Sequence, residues 1–195
     1  MSFASLLKDR LEGIVPVTLE MCLILQRHYE LLLVWNRRLN LTTVTSLEEA
    51  VERHYAESLI LAARIGSGRI GDIGSGAGFP GFPVAAFHPS SQVVLVESDQ
   101  RKAAFLREAS DLVRNVRVQC VRANRFAGPA DWIVSRAVRV EDVLEVALRL
   151  QSRLAVLVGL AEKDHLLADR RLAGAEAVQL PWGESRWLVT ARCFT

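Results

Sequence analysis

The stretch that constrains this chain most is residues 70–83, reading I-G-D-I-G-S-G-A-G-F-P-G-F-P. Residues 69–73 read as a strand. Residues 80–87 read as a helix, with Pro80 and Pro83 near its first turn, where a missing N–H is tolerated. Between them Gly74, Gly76 and Gly78 form G-x-G-x-G. Glycines suit a tight turn and the close approach of backbone to a ligand. The helix N-terminus that follows is expected to offer N–H groups and the positive dipole end to an anionic group. A second apolar run, residues 93–96, ends at Glu97, about twenty residues on, where an acid suits hydrogen bonding to a ribose hydroxyl pair. The bland alternative is a glycine-rich turn with no ligand. The order strand, glycine turn, helix, strand, acid favours a nucleoside-bearing ligand over that alternative.

The spacing is not the G-x-G-x-x-G of dinucleotide folds, and Asp72 precedes it. D-I-G-S-G-A-G resembles the S-adenosylmethionine (SAM) loop of Rossmann-like methyltransferases. With upstream W-N-R-R-L-N-L-T and downstream S-R-A-V, the segment G-S-G-A-G-F-P-G-F-P is similar to the bacterial small-subunit ribosomal RNA guanine-N7 methyltransferases, the glucose-inhibited division protein B family. The similarity runs from about Trp35 to about Ala137 and continues more faintly to the end. The two prolines make the match more specific than the glycines do. The resemblance implies an α/β, Rossmann-like SAM-dependent methyltransferase fold. That fold is a mostly parallel seven-stranded sheet with helices on both faces, preceded by an N-terminal helical extension.

Read in order, residues 2–13 form a short helix with Phe3, Leu6, Leu7 and Leu11 on one face, stopped by Gly13 and Pro16. Thr18 caps a longer helix through about Leu39. Residues 40–43 are a loop. Ser46 with Glu49 resembles a capping box opening a helix through about Arg64. Strands are then expected at 69–73, 92–97, 116–120, 132–135 and 153–158, with helices at 80–87, 99–113, 140–150 and 164–172. Two closing strands, 177–180 and 186–193, flank Pro181-Trp182-Gly183. The expected organisation is an extension over 1–65, packed on a SAM-binding domain over 66–195.

Composition adds bounds. Net charge is only +2 over 195 residues, so no basic tail announces nucleic acid. Twenty-one of the 24 basic residues are Arg, which suits phosphate and guanine edges but equally reflects a coding bias. Cys22, Cys120 and Cys193 form no C-x-x-C, so neither zinc nor a disulfide framework is suggested. With no secretory leader pattern and no run long enough to span a membrane, a cytoplasmic monomer that does not engage membranes is expected.

The resemblance implies methyl transfer from SAM to N7 of a guanine in 16S ribosomal RNA, with the RNA or the small subunit as partner and no metal. N7 carries an in-plane lone pair and no proton, so no general base is required, and the protein mainly aligns the reactants. Arg136 is therefore nominated as the catalytic, positioning group. Gly74, Ser75, Gly76, Gly78, Phe79, Glu97, Ala123, Asn124 and Arg136 are the expected cofactor residues. Asn40, His54, Arg101, Lys102, Arg122 and Arg186 are the expected RNA residues. Arg there would either fork onto guanine O6 and N7 or clamp phosphate. His54, in R-H-Y-A-E-S, would touch RNA or the SAM carboxylate, or simply be packed. The family's Lys-Gly pair after the fifth strand is absent; the text is V-L-V-G-L-A-E-K-D, and no role passes to Lys163. Competing readings are a methyltransferase of a small molecule or protein, a nicotinamide-dependent oxidoreductase, and a SAM-binding regulator without catalysis.

Overall fold

The computed structural model describes residues 1–44 and 46–193; Thr45, Phe194 and Thr195, the last two at the end of the expected 66–195 unit, lie outside the described residues. Helix α1 (Phe3–Leu11) is capped by Ser2, whose hydroxyl accepts from Ser5 N, and buries Phe3, Leu6, Leu7 and Leu11. Helix α2 (Leu19–Asn36) is capped by Thr18, which accepts from Met21 N. Ser46 accepts from Glu49 N to open α3 (Leu47–Ala50). The reciprocal half of the expected box is missing, because the Glu49 carboxylate pairs with Arg53 at 2.6 Å. The helix then widens into a π-helical turn, Val51–Ala56, and resumes as α4 (Glu57–Arg64). Such turns free a carbonyl from the regular ladder and are frequent at functional sites.

Strands β1 (Arg69–Ile73), β2 (Gln92–Val96), β3 (Val116–Gln119), β4 (Trp132–Arg136) and β5 (Arg153–Val158) are parallel. Helices α5 (Gly81–Phe87), α6 (Gln100–Ser110), α7 (Val140–Arg149) and α8 (Leu160–Ala168) connect or follow them. Strands β6 (Leu172–Gln179) and β7 (Trp187–Cys193) close the sheet, β7 antiparallel to both β5 and β6. The sheet order is β3-β2-β1-β4-β5-β7-β6. Most expected elements fall within a few residues of these bounds.

The helix expected at 164–172 is an exception. It starts four residues earlier, capped by Gly159, and Leu172 already belongs to β6. Leu172-Ala173-Gly174-Ala175 carries no β-branched signal, so pairing with β7 rather than intrinsic propensity makes it a strand. Gly174, at φ +57, lies where the register shifts between Ala173 and Glu176.

Apolar side chains lie on both faces of the sheet. One cluster joins α1, α2 and the π turn to α5 and α6 through Leu7, Leu25, Tyr55, Phe82 and Phe105, all fully buried. The other packs α7 and α8 against β4, β5 and β7. The N-terminal helices thus share one continuous core with the sheet and bring the loop after α2, together with the π turn, to the ends of β1 and β4. No helix among the described residues is long and apolar enough to cross a membrane.

Candidate functional site

Strand order reverses between β1 and β4, and open α/β sheets place ligands outside the carboxyl ends of their strands at that point. Here β1 runs into Gly74 and β4 ends at Arg136. Three cavities meet there, and Val138 lines all of them. The first, about 350 Å³, is lined by Gly74, Ser75, Gly76, Phe79, Glu97, Lys102 and Arg136 among others. The second, about 530 Å³, lies toward β3 and is lined by Gly74, Ser98, Arg122, Ala123 and Asn124 among others. The third, about 880 Å³, lies toward β5 and holds Asn40, Arg53, His54, Glu57, Arg136, Arg139 and Arg186.

The glycine loop is a close-packed turn that bonds to itself and to β2. Gly74 N and Ser75 N donate to Val96 O, Gly78 N and Phe79 N to Ser75 O. Gly76 N donates to Glu97 Oε2 at 2.9 Å. Ser75 is buried, and its hydroxyl donates to Asp72 O. The expected open helix N-terminus is absent: Gly81 N, the first of α5, donates to the buried Asp72 carboxylate at 3.0 Å. Burial pushes that carboxyl up to about 7.

The loop therefore offers a cradle more than a set of free donors. Gly74 has φ +70, and a Cβ there would collide with Val138 Cγ2. Gly76 has φ +56, and its missing Cβ points into open space. Glu97 also accepts from Asp99 N at 2.8 Å. Two backbone N–H groups thus orient its carboxylate, which keeps lone pairs for a ribose hydroxyl pair. Ala123 and Asn124 sit on a short 3₁₀ turn, Ala123–Arg125, lining the neighbouring cavity. Among these residues are a Glu97 suited to ribose, an Ala123–Asn124 edge suited to a base and a glycine cradle, so the residues present fit a nucleoside-bearing cofactor.

The other side of the site is built from side chains of distant segments. Arg136 Nη1 donates to Arg53 O, in the π turn. Its guanidinium stands 5.1 Å from the Phe79 ring centroid, and His54 stacks on the same ring at 4.7 Å. Phe79, expected to pack on the ligand, is 3% exposed and forms the floor beneath the site. His54 Nε2 bonds Thr42 Oγ1 at 2.8 Å. Thr42 is itself fixed by Asn36, whose Oδ1 accepts from Leu41 N and Thr42 N while Nδ2 donates to Thr42 O. Burial, reinforced by the charge of Arg136, pushes His54 down to about 3. It is a packed, neutral imidazole rather than one titrating near pH 6.5.

Glu57 lies against this group, with Oε1 2.5 Å from Arg186 Nη1; Arg186 Nη2 is 3.2 Å from Glu52 Oε1. Burial pushes Glu57 up to about 7, with Arg186 and Arg136 opposing the shift. Burial lowers Arg136 to about 10, so it stays cationic at neutrality.

The nominated residues thus separate. Arg136 and His54 line both the loop cavity and the large cavity; Asn40 and Arg186 line only the large one. Arg122 joins Ala123 and Asn124 instead, and Lys102 joins Glu97. Arg101 is exposed on α6, 3.7 Å from Asp99. Lys163 stacks on Trp187, 4.5 Å from its ring centroid.

Asn36, Thr42, Glu57 and Val138 were not nominated. Glu57 carried a signal, an acid within the apolar run from Tyr55 to Leu61, and such a charge is buried only with a partner. Asn36 and Thr42 stand in W-N-R-R-L-N-L-T and Val138 closes S-R-A-V, so these three lay within segments the sequence had already singled out.

Comparison with known proteins bears on the family and the fold. Residues 21–179 match the family described as "GidB: rRNA small subunit methyltransferase G". A ribosomal RNA small subunit methyltransferase G of Geobacter metallireducens is 42% identical over 110 residues, covering 53% of this chain and 50% of that protein. Its counterpart in Roseiflexus castenholzii is 36% identical over 177 residues, covering 80% and 76%. The match thus spans half the length of the first relative and about three quarters of the second. A SAM-dependent methyltransferase structure from Aquifex aeolicus superposes with a TM-score of 0.60 at 16% identity, covering 75% of this chain and 93% of that one; at that identity the likeness speaks for the fold. The chain is a member of the small-subunit ribosomal RNA methyltransferase G family.

Proposed function

We propose that this protein transfers a methyl group from SAM to N7 of a guanine in 16S ribosomal RNA. The observation that carries the reading is the junction at Arg136: a cradle suited to a nucleoside opens, past this cation, into a larger cavity lined by arginines. The relatives' name, ribosomal RNA small subunit methyltransferase G, supports the substrate class.

When bound, SAM supplies an electrophilic methyl on a sulfonium. The chain's residues orient and exclude. Gly74 and Gly76 let the backbone close on the cofactor, Glu97 accepts from its ribose, and Ala123 and Asn124 frame its base. Arg136, held by Arg53 O and the Phe79 ring, separates the two cavities and positions the incoming base. N7 attacks with its own lone pair and gives up no proton, so the buried, neutral His54 has no proton to take.

Glu57 favours a second reading. A buried carboxyl pushed up to about 7 in the large cavity suits a general base for a nucleophile that must lose a proton. The two readings differ in product. The protein is incubated with labelled SAM and small-subunit RNA, and the labelled nucleoside is identified. N7-methylguanosine supports the first reading; a methylated amine or hydroxyl supports the second.

A further inference from the structure

We propose that Glu57 reads the target base, its carboxylate accepting from the N1–H and N2–H₂ groups of guanine; this rests on the N7 reading above. The methylated edge of guanine cannot also be the edge that is held. A donor on N7 would have to leave before that lone pair could react, so selection falls to the opposite edge of the ring. That edge presents two adjacent donors, N1–H and N2–H₂, and an acceptor-only carboxylate matches them.

The site supplies such a group at the right depth. Arg136 lines both the loop cavity and the large cavity, whereas Glu57 lines only the large one. A base whose N7 meets the loop side of Arg136 therefore turns its far edge toward Glu57. The side chain of Glu57 is 5% exposed and anchored through Oε1 by Arg186. Among the described residues Oε1 has this ion pair and no further hydrogen-bond partner, and Oε2 makes no hydrogen bond. Glu162, the other acid of that cavity, is exposed on α8, so Glu57 is the acid with a fixed orientation. In its ionised form the same carboxylate rejects adenine, which offers a lone pair at N1 and no amine at C2, because both acceptors would be left facing each other. Reaching this depth requires the nucleotide to leave its stack, the usual route for enzymes acting on a base.

The test uses the full chain and an RNA fragment containing the mapped guanine, assembled with either guanosine or inosine at that position. Inosine keeps N7, O6 and N1–H but lacks the N2 amine. The wild type should favour guanosine by about tenfold or more, both in kcat/KM and in RNA affinity measured without SAM. Glu57→Ala should bring the ratio to within about twofold, with SAM affinity intact as the check on folding; Glu57→Gln, which keeps one acceptor, should fall between. A wild type that treats both RNAs alike overturns the proposal without needing any variant. So does a guanosine preference retained in both variants, which would leave Glu57 only the structural partner of Arg186. Absence of N7-methylguanosine from the wild type acting on the guanosine RNA overturns instead the methyl-transfer reading on which the proposal rests.

Discussion

The two halves of the site are made differently. On the β1–β2 side, one run of nine residues from Asp72 to Pro80 turns back on itself, and its N–H groups are taken by Val96, Ser75 and Glu97. On the β4–β5 side, the groups are charges and rings gathered from four places in the chain: the loop after α2, the π turn, the end of β4 and the closing hairpin. Arg136 reaches a carbonyl 83 residues away, and Arg186 reaches Glu52 across 134. The first half is a shape dictated by local backbone geometry. The second is a balance of burial against pairing, in which the same burial lowers a histidine and an arginine and raises a glutamate. Changes in the glycine turn itself should therefore act on cofactor binding alone. Changes in the second half should act on RNA binding or on rate, according to the group removed.

Gly76→Val breaks this division hardest. A β-branched residue at φ +56 is strained, and its side chain enters the cradle. SAM affinity measured by calorimetry should fall about 100-fold or more, strain and lost space adding, while RNA affinity holds. Loss of both would mean that the halves are not separable. Glu97→Ala, in the same half, should weaken SAM by about 1.5–3 kcal/mol as a charged hydrogen bond is lost.

If Arg136 places the base as proposed, Arg136→Ala should slow single-turnover methyl transfer about 100-fold at saturating SAM and RNA. RNA affinity should change much less, and a loss of affinity equal to the loss of rate would make Arg136 an anchor. In the same assay, His54→Asn should leave the pH profile between roughly 6 and 8.5 unchanged, since the folded imidazole does not titrate there.

Stability against pH sharpens the second half further. His28 is fully buried, bonded to Tyr55 and pushed by burial down to about 3, as His54 is. Both stay neutral in the folded chain while the unfolded chain protonates them below about pH 6.5. Their stabilising contribution is thus complete above that pH and is lost as pH falls, by about 1.4 kcal/mol per unit for each group. Asp72 and Glu57, raised to about 7, act with the opposite sign from pH 7 downward, so the wild-type curve alone is blunted. The difference is the readout. In denaturant unfolding from pH 6.5 to 4.5, His28→Phe should gain on the wild type by about that slope. A constant difference would mean that His28 titrates normally.

The smallest effects concern salt. Removing Lys102 or Arg122 should flatten the salt dependence of RNA binding by about 0.7 each if the strand contacted is single. Arg186→Ala should flatten it less, because Glu52 and Glu57 already match its charge. An equal slope change for all three would place Arg186 on phosphate.

The order of strands and helices, the glycine turn, Glu97 at the end of β2 and Arg136 at the end of β4 were all legible in the chain itself. Each rests on turn chemistry or hydrophobic period, which act over a few residues. Tertiary structure alone decided that Asp72 closes the N-terminus of α5, that His54 is neutral beneath Arg136, that Glu57 faces the large cavity beside Arg186, and that Ala-Gly-Ala forms a strand. Those outcomes depend on which distant segment buries a group and which opposite charge meets it there. Burial is a property of the packed whole, so a residue's immediate neighbours in the chain do not contain it.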